Sequence, residues 1–185
     1  MRIFALTAAL ALSTPALAAL PAGSAAPAFT TKGAMAGKAF DFSLANQLKK
    51  GPVVLYFFPA AFTPGCTVEA NQFAEATDDF RKLGATVVGM SSDNVETLAK
   101  FSTTECRSKF AVASASKAVI RGYDVKLSIT GKTNRTSYLI SPSGKVISVC
   151  PAHSTTASTS ELAAARPSSI GDKLASTSRP APRAR

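Results

Sequence analysis

The sequence predicts an α/β fold in which helices flank a mixed central β-sheet. Three observations support this prediction: a short apolar strand precedes an amphipathic helix, that pair is repeated, and a hairpin follows. Strands joined through helices pair in parallel, whereas strands joined by a tight turn pair antiparallel. The predicted sheet therefore contains both kinds of pairing.

The first predicted strand is a run of six apolar residues, 53–58. It lies between Gly51-Pro52 and Pro59. The run is rich in β-branched and aromatic residues and too short for a buried helix. We therefore expect a central strand buried on both faces. From Cys66 to Leu83, apolar residues recur at helical spacing, which predicts an amphipathic helix closed by Gly84.

A second strand and helix follow the same order. Residues 86–90 form a short apolar run. The Ser91-Ser92-Asp93 stretch after it could cap a helix from about Val95 to Thr104.

The remaining elements are shorter. A strand is expected at 109–113 and a short helix at 118–123. Two strands at 136–140 and 146–149 are separated by a turn rich in Pro and Gly, which predicts a hairpin.

The first 18 residues have the layout of a secretory signal peptide. Arg2 precedes a mostly apolar run, and Pro15 and the small-residue site Ala16-Leu17-Ala18 follow it. A buried N-terminal helix is the alternative. With cleavage before Ala19, we expect an exported protein of the bacterial periplasm.

The rest of the chain divides into three segments by composition. Residues 19–27 are mostly small residues and Pro, an extended lead-in. Residues 28–150 form the predicted domain. Residues 151–185 are basic, rich in Ser and Pro, and too poor in large apolar residues to build a core. They predict a disordered tail, and an altered reading frame is the other explanation.

Size and charge restrict the class of protein. The 185 residues suit one domain, and no stretch approaches the roughly 20 apolar residues of a membrane span. The net charge of +10 raises the question of nucleic acid. However, Lys and Arg are scattered, with no zinc-finger or RRM signature. We expect neither a nucleic-acid partner nor membrane insertion.

Three cysteines, Cys66, Cys106 and Cys150, cannot all pair within one chain. In an exported protein, this odd number suggests a reactive thiol. His153 is the single histidine and no Cys-x-x-Cys is present, which excludes the usual zinc sites and the ordinary thioredoxin dithiol. We expect no metal site and no catalytic role for His153.

Cys66 follows the buried strand and lies in the first turn of the predicted helix. Unpaired backbone N–H groups and the helix dipole favour the thiolate there, and the thiolate is the nucleophile. Thr63 can sit beside the sulfur and hydrogen-bond an incoming oxygen. Alternatively, Cys66 is a small apolar residue that begins a core-facing helix. The spacing leaves both interpretations open.

The eight residues 59–66, Pro-Ala-Ala-Phe-Thr-Pro-Gly-Cys, match the peroxiredoxin motif Pro-x-x-x-Thr/Ser-x-x-Cys. The chain resembles the bacterioferritin-comigratory, or Q-type, peroxiredoxins from about residue 26 to 149. The resemblance implies a thioredoxin-like fold and a thiol-dependent peroxidase that acts on hydrogen peroxide and small organic hydroperoxides. It also implies that no metal, haem or flavin cofactor is used.

The same resemblance implies roles for five residues. Cys66 attacks the peroxide and becomes a sulfenic acid, Thr63 binds the peroxide oxygen, and Pro59 shields the pocket. Arg135 stabilises the thiolate and the leaving oxygen. Glu69 orients Arg135.

Recycling of the sulfenic acid requires a second thiol and then a thioredoxin-like or other thiol reductant. Many Q-type members carry this resolving cysteine five residues after the first, where this chain has Asn71. By resemblance, Cys106 is the predicted resolving residue and would form a disulfide bond with Cys66. Cys150 or an external thiol are the alternatives. The oligomeric state is open, and a monomer is favoured.

Two other functions are compatible with such a fold. One is a thiol–disulfide oxidoreductase, which the absence of a second cysteine two residues from Cys66 disfavours. The other is a redox-inactive binding module.

Overall fold

The computed structural model describes residues 19–150, which form seven strands and four helices. In chain order these are β1 (Thr30–Met35), β2 (Lys38–Ser43), α1 (Leu44–Leu48), β3 (Val53–Phe57), α2 (Pro64–Lys82), β4 (Thr86–Ser91), α3 (Val95–Thr104), β5 (Ala111–Ser114), α4 (Lys117–Gly122), β6 (Ser137–Ile140) and β7 (Val146–Cys150). The predicted signal peptide 1–18 and tail 151–185, including His153, lie outside the described residues.

The strands form one sheet in the order β2-β1-β5-β4-β3-β6-β7. β4 is parallel to β3 and β5, because α2 and α3 return the chain to the same end of the sheet. The other neighbouring pairs are antiparallel. The prediction of an α/β fold with a mixed sheet is confirmed.

The central elements agree closely with the predicted ones. All five residues of β3 are buried, as expected for a strand covered on both faces. α2 begins two residues earlier than predicted, because Thr63 takes the extended N-cap conformation and Pro64 occupies the first helical position. α3 has the predicted bounds.

The predicted cap of α3 was wrong in detail. The N-cap is Asn94, whose side-chain oxygen accepts a hydrogen bond of 2.8 Å from the backbone N–H of Thr97. Asp93 instead reaches the loop before α2.

The hairpin β1–β2 and helix α1 were not predicted. β1 is built from Thr, Lys, Gly, Ala and Met, without the run of branched and aromatic residues that marks a strand. Its turn is made by Ala36 and Gly37, both at positive φ. α1 has only five residues, which is too short to show a helical repeat of apolar residues, although Ser43 caps it.

Each face of the sheet carries its own apolar core. On one face α2 and α3 cover a cluster that includes Tyr56, Cys66, Phe101 and Cys106. On the other, α1 and α4 cover a cluster around Tyr123 and Tyr138. None of the described helices is long and apolar enough to cross a membrane.

Gly89 on β4 makes room for the ring of Tyr56 on β3. A Cβ atom at Gly89 would lie 2.8 Å from the ring and hydroxyl of Tyr56. Tyr56 stacks on Phe73 of α2, with their ring centroids 4.2 Å apart. The aromatic side chain thus fills the space between the sheet and the helix that carries Cys66.

Candidate active site

The loop between β3 and α2 is held by hydrogen bonds from both sides. Phe58 donates its N–H to the carbonyl of Met90 at 2.9 Å and accepts from the Thr133 hydroxyl at 2.5 Å. Ala61 donates its N–H to Asp93 Oδ2 at 2.7 Å. These contacts set where α2 begins and therefore where its first turn lies.

Asp93 and Thr133 hold the loop before α2 in place, and neither contact was predicted from the sequence. A signal for Asp93 existed: it follows β4, and the carboxyl ends of adjacent parallel strands meet at one edge of a sheet. Asp93 also accepts from the hydroxyl of Ser91 at 2.9 Å, which fixes the carboxylate. Thr133 lies in an irregular segment, where no pattern indicated its contact.

Phe62, in the same loop, has a left-handed backbone conformation with φ of 62°. This conformation is costly for a residue with a side chain, and it persists where surrounding contacts impose it. The neighbouring Ala61–Asp93 hydrogen bond and the edge-on packing of Phe62 against Phe101 supply such contacts.

Cys66 is the third residue of α2 and is only 1% exposed. Thr63, the N-cap, makes no side-chain hydrogen bond to the helix, because its hydroxyl donates to the carbonyl of Ala60 at 3.1 Å. Pro64 has no N–H. Thr63 therefore leaves the backbone N–H groups of the first turn without a side-chain cap. Cys66 lies in this turn, and such N–H groups favour negative charge nearby.

Arg135 joins Cys66 to Glu69. Its Nη2 donates to Cys66 Sγ at 3.2 Å, and its Nη1 donates to Glu69 Oε2 at 2.5 Å. Glu69 lies one turn after Cys66 on α2 and is 3% exposed, whereas the Arg135 side chain is 36% exposed. One guanidinium thus holds the thiol and a buried carboxylate of the same helix.

Two features position this guanidinium. The hydrogen bond of 2.9 Å from the N–H of Phe57 to the carbonyl of Thr136 holds the chain next to Arg135 against the end of β3. Gly65 leaves room for the side chain, since a Cβ atom there would lie 2.8 Å from Arg135 Nη2. Arginine stays charged at any relevant pH, so the sulfur always faces a cation.

The predicted site residues fall into two groups. Cys66, Arg135 and Glu69 are in direct contact, with Thr63 at the N-cap and the half-buried Pro59 at the start of the loop. The other two cysteines take no part in these contacts, although both lie at the core cluster that contains Cys66.

Cys106 follows α3 and is fully buried in the core cluster that also contains Cys66. Burial raises the pKa of the Cys106 thiol, and the charge of Glu105 adds to this. Cys150 is the last residue of β7 and is partly buried. No disulfide joins any of the three cysteines.

The described residues offer no cluster of metal ligands. Between residues 19 and 150, no three or more His, Cys, Asp or Glu side chains come together in a group that could hold a metal ion.

The chain is similar to known proteins in both sequence and structure. The model of the AhpC/TSA family matches residues 22–149. A putative peroxiredoxin of Mycobacterium tuberculosis is 36% identical over 122 residues, which are 59% of this chain and 79% of the relative. The chain belongs to the AhpC/TSA family. It is a peroxiredoxin, as its motif predicted.

Two further similar proteins are also peroxiredoxins. The chloroplastic peroxiredoxin Q of Oryza sativa subsp. japonica is 40% identical over 102 residues, 48% of this chain and 45% of the relative. The crystal structure of peroxidoxin BcpB from M. tuberculosis superimposes with a TM-score of 0.71 at 31% identity, covering 80% of this chain and 97% of that one. This peroxiredoxin therefore has the thioredoxin-like fold of a thiol peroxidase, an enzyme that reduces peroxide with a thiol reductant.

Replacing Arg135 by Met should slow peroxide reduction by roughly 10²–10³-fold, the usual effect of removing one donor that stabilises developing charge. It also leaves the Glu69 carboxylate buried without its cation, so the free energy of unfolding should fall. Stopped-flow kinetics and urea titration measure the two effects.

The double variant Glu69→Gln/Arg135→Met separates these effects. Removing the buried charge should restore stability but not the rate. If the double variant regains the wild-type rate, Arg135 acts only through folding and the catalytic role is wrong.

Proposed function

We propose that Cys66 is the peroxidatic residue, which reduces hydrogen peroxide and small organic hydroperoxides and becomes a sulfenic acid. The observation that supports this most strongly is the contact of 3.2 Å between Arg135 Nη2 and Cys66 Sγ. A cysteine that merely filled the core would not require a charged donor at its sulfur.

The reaction is a displacement at oxygen. The Cys66 thiolate attacks one peroxide oxygen, the S–O bond forms and the O–O bond breaks. The electron pair of that bond leaves with the second oxygen, which takes up a proton and departs as water or an alcohol. Arg135 stabilises the charge on this leaving oxygen. The Thr63 hydroxyl donates its own hydrogen to the Ala60 carbonyl, so its oxygen can accept a hydrogen bond from the peroxide O–H. Pro59 shields the pocket.

The burial of Cys66 supports a preference for small peroxides. The residue itself is almost fully buried, while residues 62–65 in front of it are exposed. A substrate must bring its peroxide group in past this exposed turn, and a bulky group next to the O–O bond would meet the Arg135 side chain.

The reduced enzyme is regenerated by a thioredoxin-like or other thiol reductant, and we propose that the enzyme works as a monomer. The assignment of Cys106 as the resolving residue stays a prediction. A disulfide needs Cα atoms within about 7 Å, and we expect that local unwinding around both cysteines would be required to form it.

Export to the bacterial periplasm completes the proposal. It is supported by the order of Arg2, apolar run, Pro15 and Ala16-Leu17-Ala18, which is that of a signal peptide. The small residues before Ala19 suit signal peptidase.

Expression of the full chain in a Gram-negative bacterium tests export. The protein recovered from the periplasmic fraction should have Ala19 as its N-terminal residue by Edman sequencing. Ala18→Arg should block cleavage, since the site requires a small residue. Recovery of an uncleaved chain beginning at Met1 in the cytoplasm would contradict the proposal.

The role of Cys66 is tested with Cys66→Ser. Peroxide consumption with dithiothreitol should fall to the level of the buffer, because serine at this position is not ionised. One equivalent of hydrogen peroxide in the presence of a 1,3-diketone should label wild-type protein on the peptide that contains Cys66.

Urea titration of Cys66→Ser provides the control for folding. A folded variant that still consumes peroxide, or a label found on another cysteine of the wild type, would show that Cys66 is not the nucleophile.

A further inference from the structure

Strand pairing places Cys150 on the same face of the sheet as the active site. Tyr56 on β3 pairs with Ser137 on β6, and Ser137 pairs with Cys150 on β7. Directly paired residues project to the same face. Tyr56 belongs to the core cluster that contains Cys66, and Cys150 packs against that cluster.

Cys150 also lies at the correct end of the sheet. β6 is antiparallel to both β3 and β7, so β3 and β7 run in the same direction and end on the same side. α2 begins just after the end of β3, and Arg135, which contacts Cys66, lies two residues before Ser137. With strands about 4.8 Å apart, the Cα atom of Cys150 is about 10 Å from that of Tyr56.

Cys150 is easier to move than Cys106. It is the last residue of the outermost strand in the described sheet and is partly exposed. Cys106 is fully buried, and its N–H donates to the carbonyl of Phe101 at 3.1 Å. Burial also holds the pKa of Cys106 above its ordinary value, which disfavours its nucleophilic form.

Two buried hydroxyls lie on the same row of paired residues. The hydroxyls of Tyr56 and Ser137 are buried and have no hydrogen-bond partner among the described residues. Buried polar groups normally have a partner, and those that lack one call for a functional explanation. The Tyr56 hydroxyl faces Gly89 on β4, whereas Ser137 is the direct partner of Cys150 on β7. The row therefore places one unpartnered polar group, the Ser137 hydroxyl, next to Cys150.

In place of the predicted Cys106, we propose that Cys150 is the resolving cysteine of this peroxiredoxin and forms an intramolecular disulfide with Cys66. The proposal rests on the proposed role of Cys66. The Cys150 sulfur attacks Cys66 Sγ in the sulfenic acid, so that the S–S bond forms and the S–O bond breaks. The oxygen leaves as hydroxide and combines with the proton lost by the Cys150 thiol to give water. An external thiol reductant then reduces the disulfide.

The end of β7 must move toward α2 for this step, since the two Cα atoms have to approach within about 7 Å. Cys150 is the terminal residue of the strand, so few ladder hydrogen bonds have to open.

Peptide mapping tests the proposal. The full chain receives one equivalent of hydrogen peroxide without reductant, is alkylated and is digested under non-reducing conditions. The expected product is a peptide pair linked through Cys66 and Cys150, present in wild type and in Cys106→Ser and missing from Cys150→Ser. A link between Cys66 and Cys106, or between two chains, overturns the proposal.

Diketone labelling gives a second readout that does not depend on a stable disulfide. In wild type, resolution should leave only a small minority of chains labelled at Cys66, whereas in Cys150→Ser most chains should be labelled. Cys150→Ala serves as a second variant if the serine disturbs folding. Equal labelling at Cys66 in wild type and both variants overturns the role of Cys150 while retaining that of Cys66. Absence of any oxidation at Cys66 overturns both.

Discussion

The site depends on one interaction: the guanidinium of Arg135 held between the sulfur of Cys66 and the carboxylate of Glu69. Both partners lie on α2, one turn apart, whereas Arg135 lies two residues before β6. The buried Glu69 holds the cation in place, and Thr63 makes no side-chain hydrogen bond to the first turn of the helix, in which Cys66 lies. A neutral donor or a mobile cation would not stabilise the sulfur in the same way.

The mixed sheet explains how these groups meet. α2 begins where β3 ends, and because β6 runs antiparallel to β3, its first residues lie at that same end. Parallel pairing with β4 brings Asp93 to this edge as well, where it holds the loop that precedes α2. The ends of three neighbouring strands thus bring together Cys66, Arg135 and the loop anchor Asp93.

Sequence patterns predicted the strand and helix that position Cys66, since β3 is a continuous apolar run and α2 has a clear helical period. The roles of Arg135 and Glu69 came only from the family motif and resemblance, because their contact joins positions 66 residues apart, which no local pattern reveals. The contact of Thr133 was missed for the same reason, whereas that of Asp93 was indicated by its place after β4, at the edge where parallel strands end. The β1–β2 hairpin was missed because Ala, Gly and Lys are poor strand formers. The neighbourhood of Cys150 emerged only from the strand register.

If the position of the guanidinium beside the sulfur controls the reaction, Gly65→Ala should slow it by moving the guanidinium. The added Cβ would lie 2.8 Å from Arg135 Nη2, so the guanidinium must move, while both charged partners and Cys66 remain. The decisive measurement is the second-order rate constant for hydrogen peroxide, alongside urea unfolding. We predict a fall of about tenfold or more in the rate constant, equivalent to about 1.4 kcal/mol in the barrier, in a protein that still unfolds cooperatively. A folded Gly65→Ala variant with the wild-type rate constant would show that the position of the guanidinium does not control the reaction.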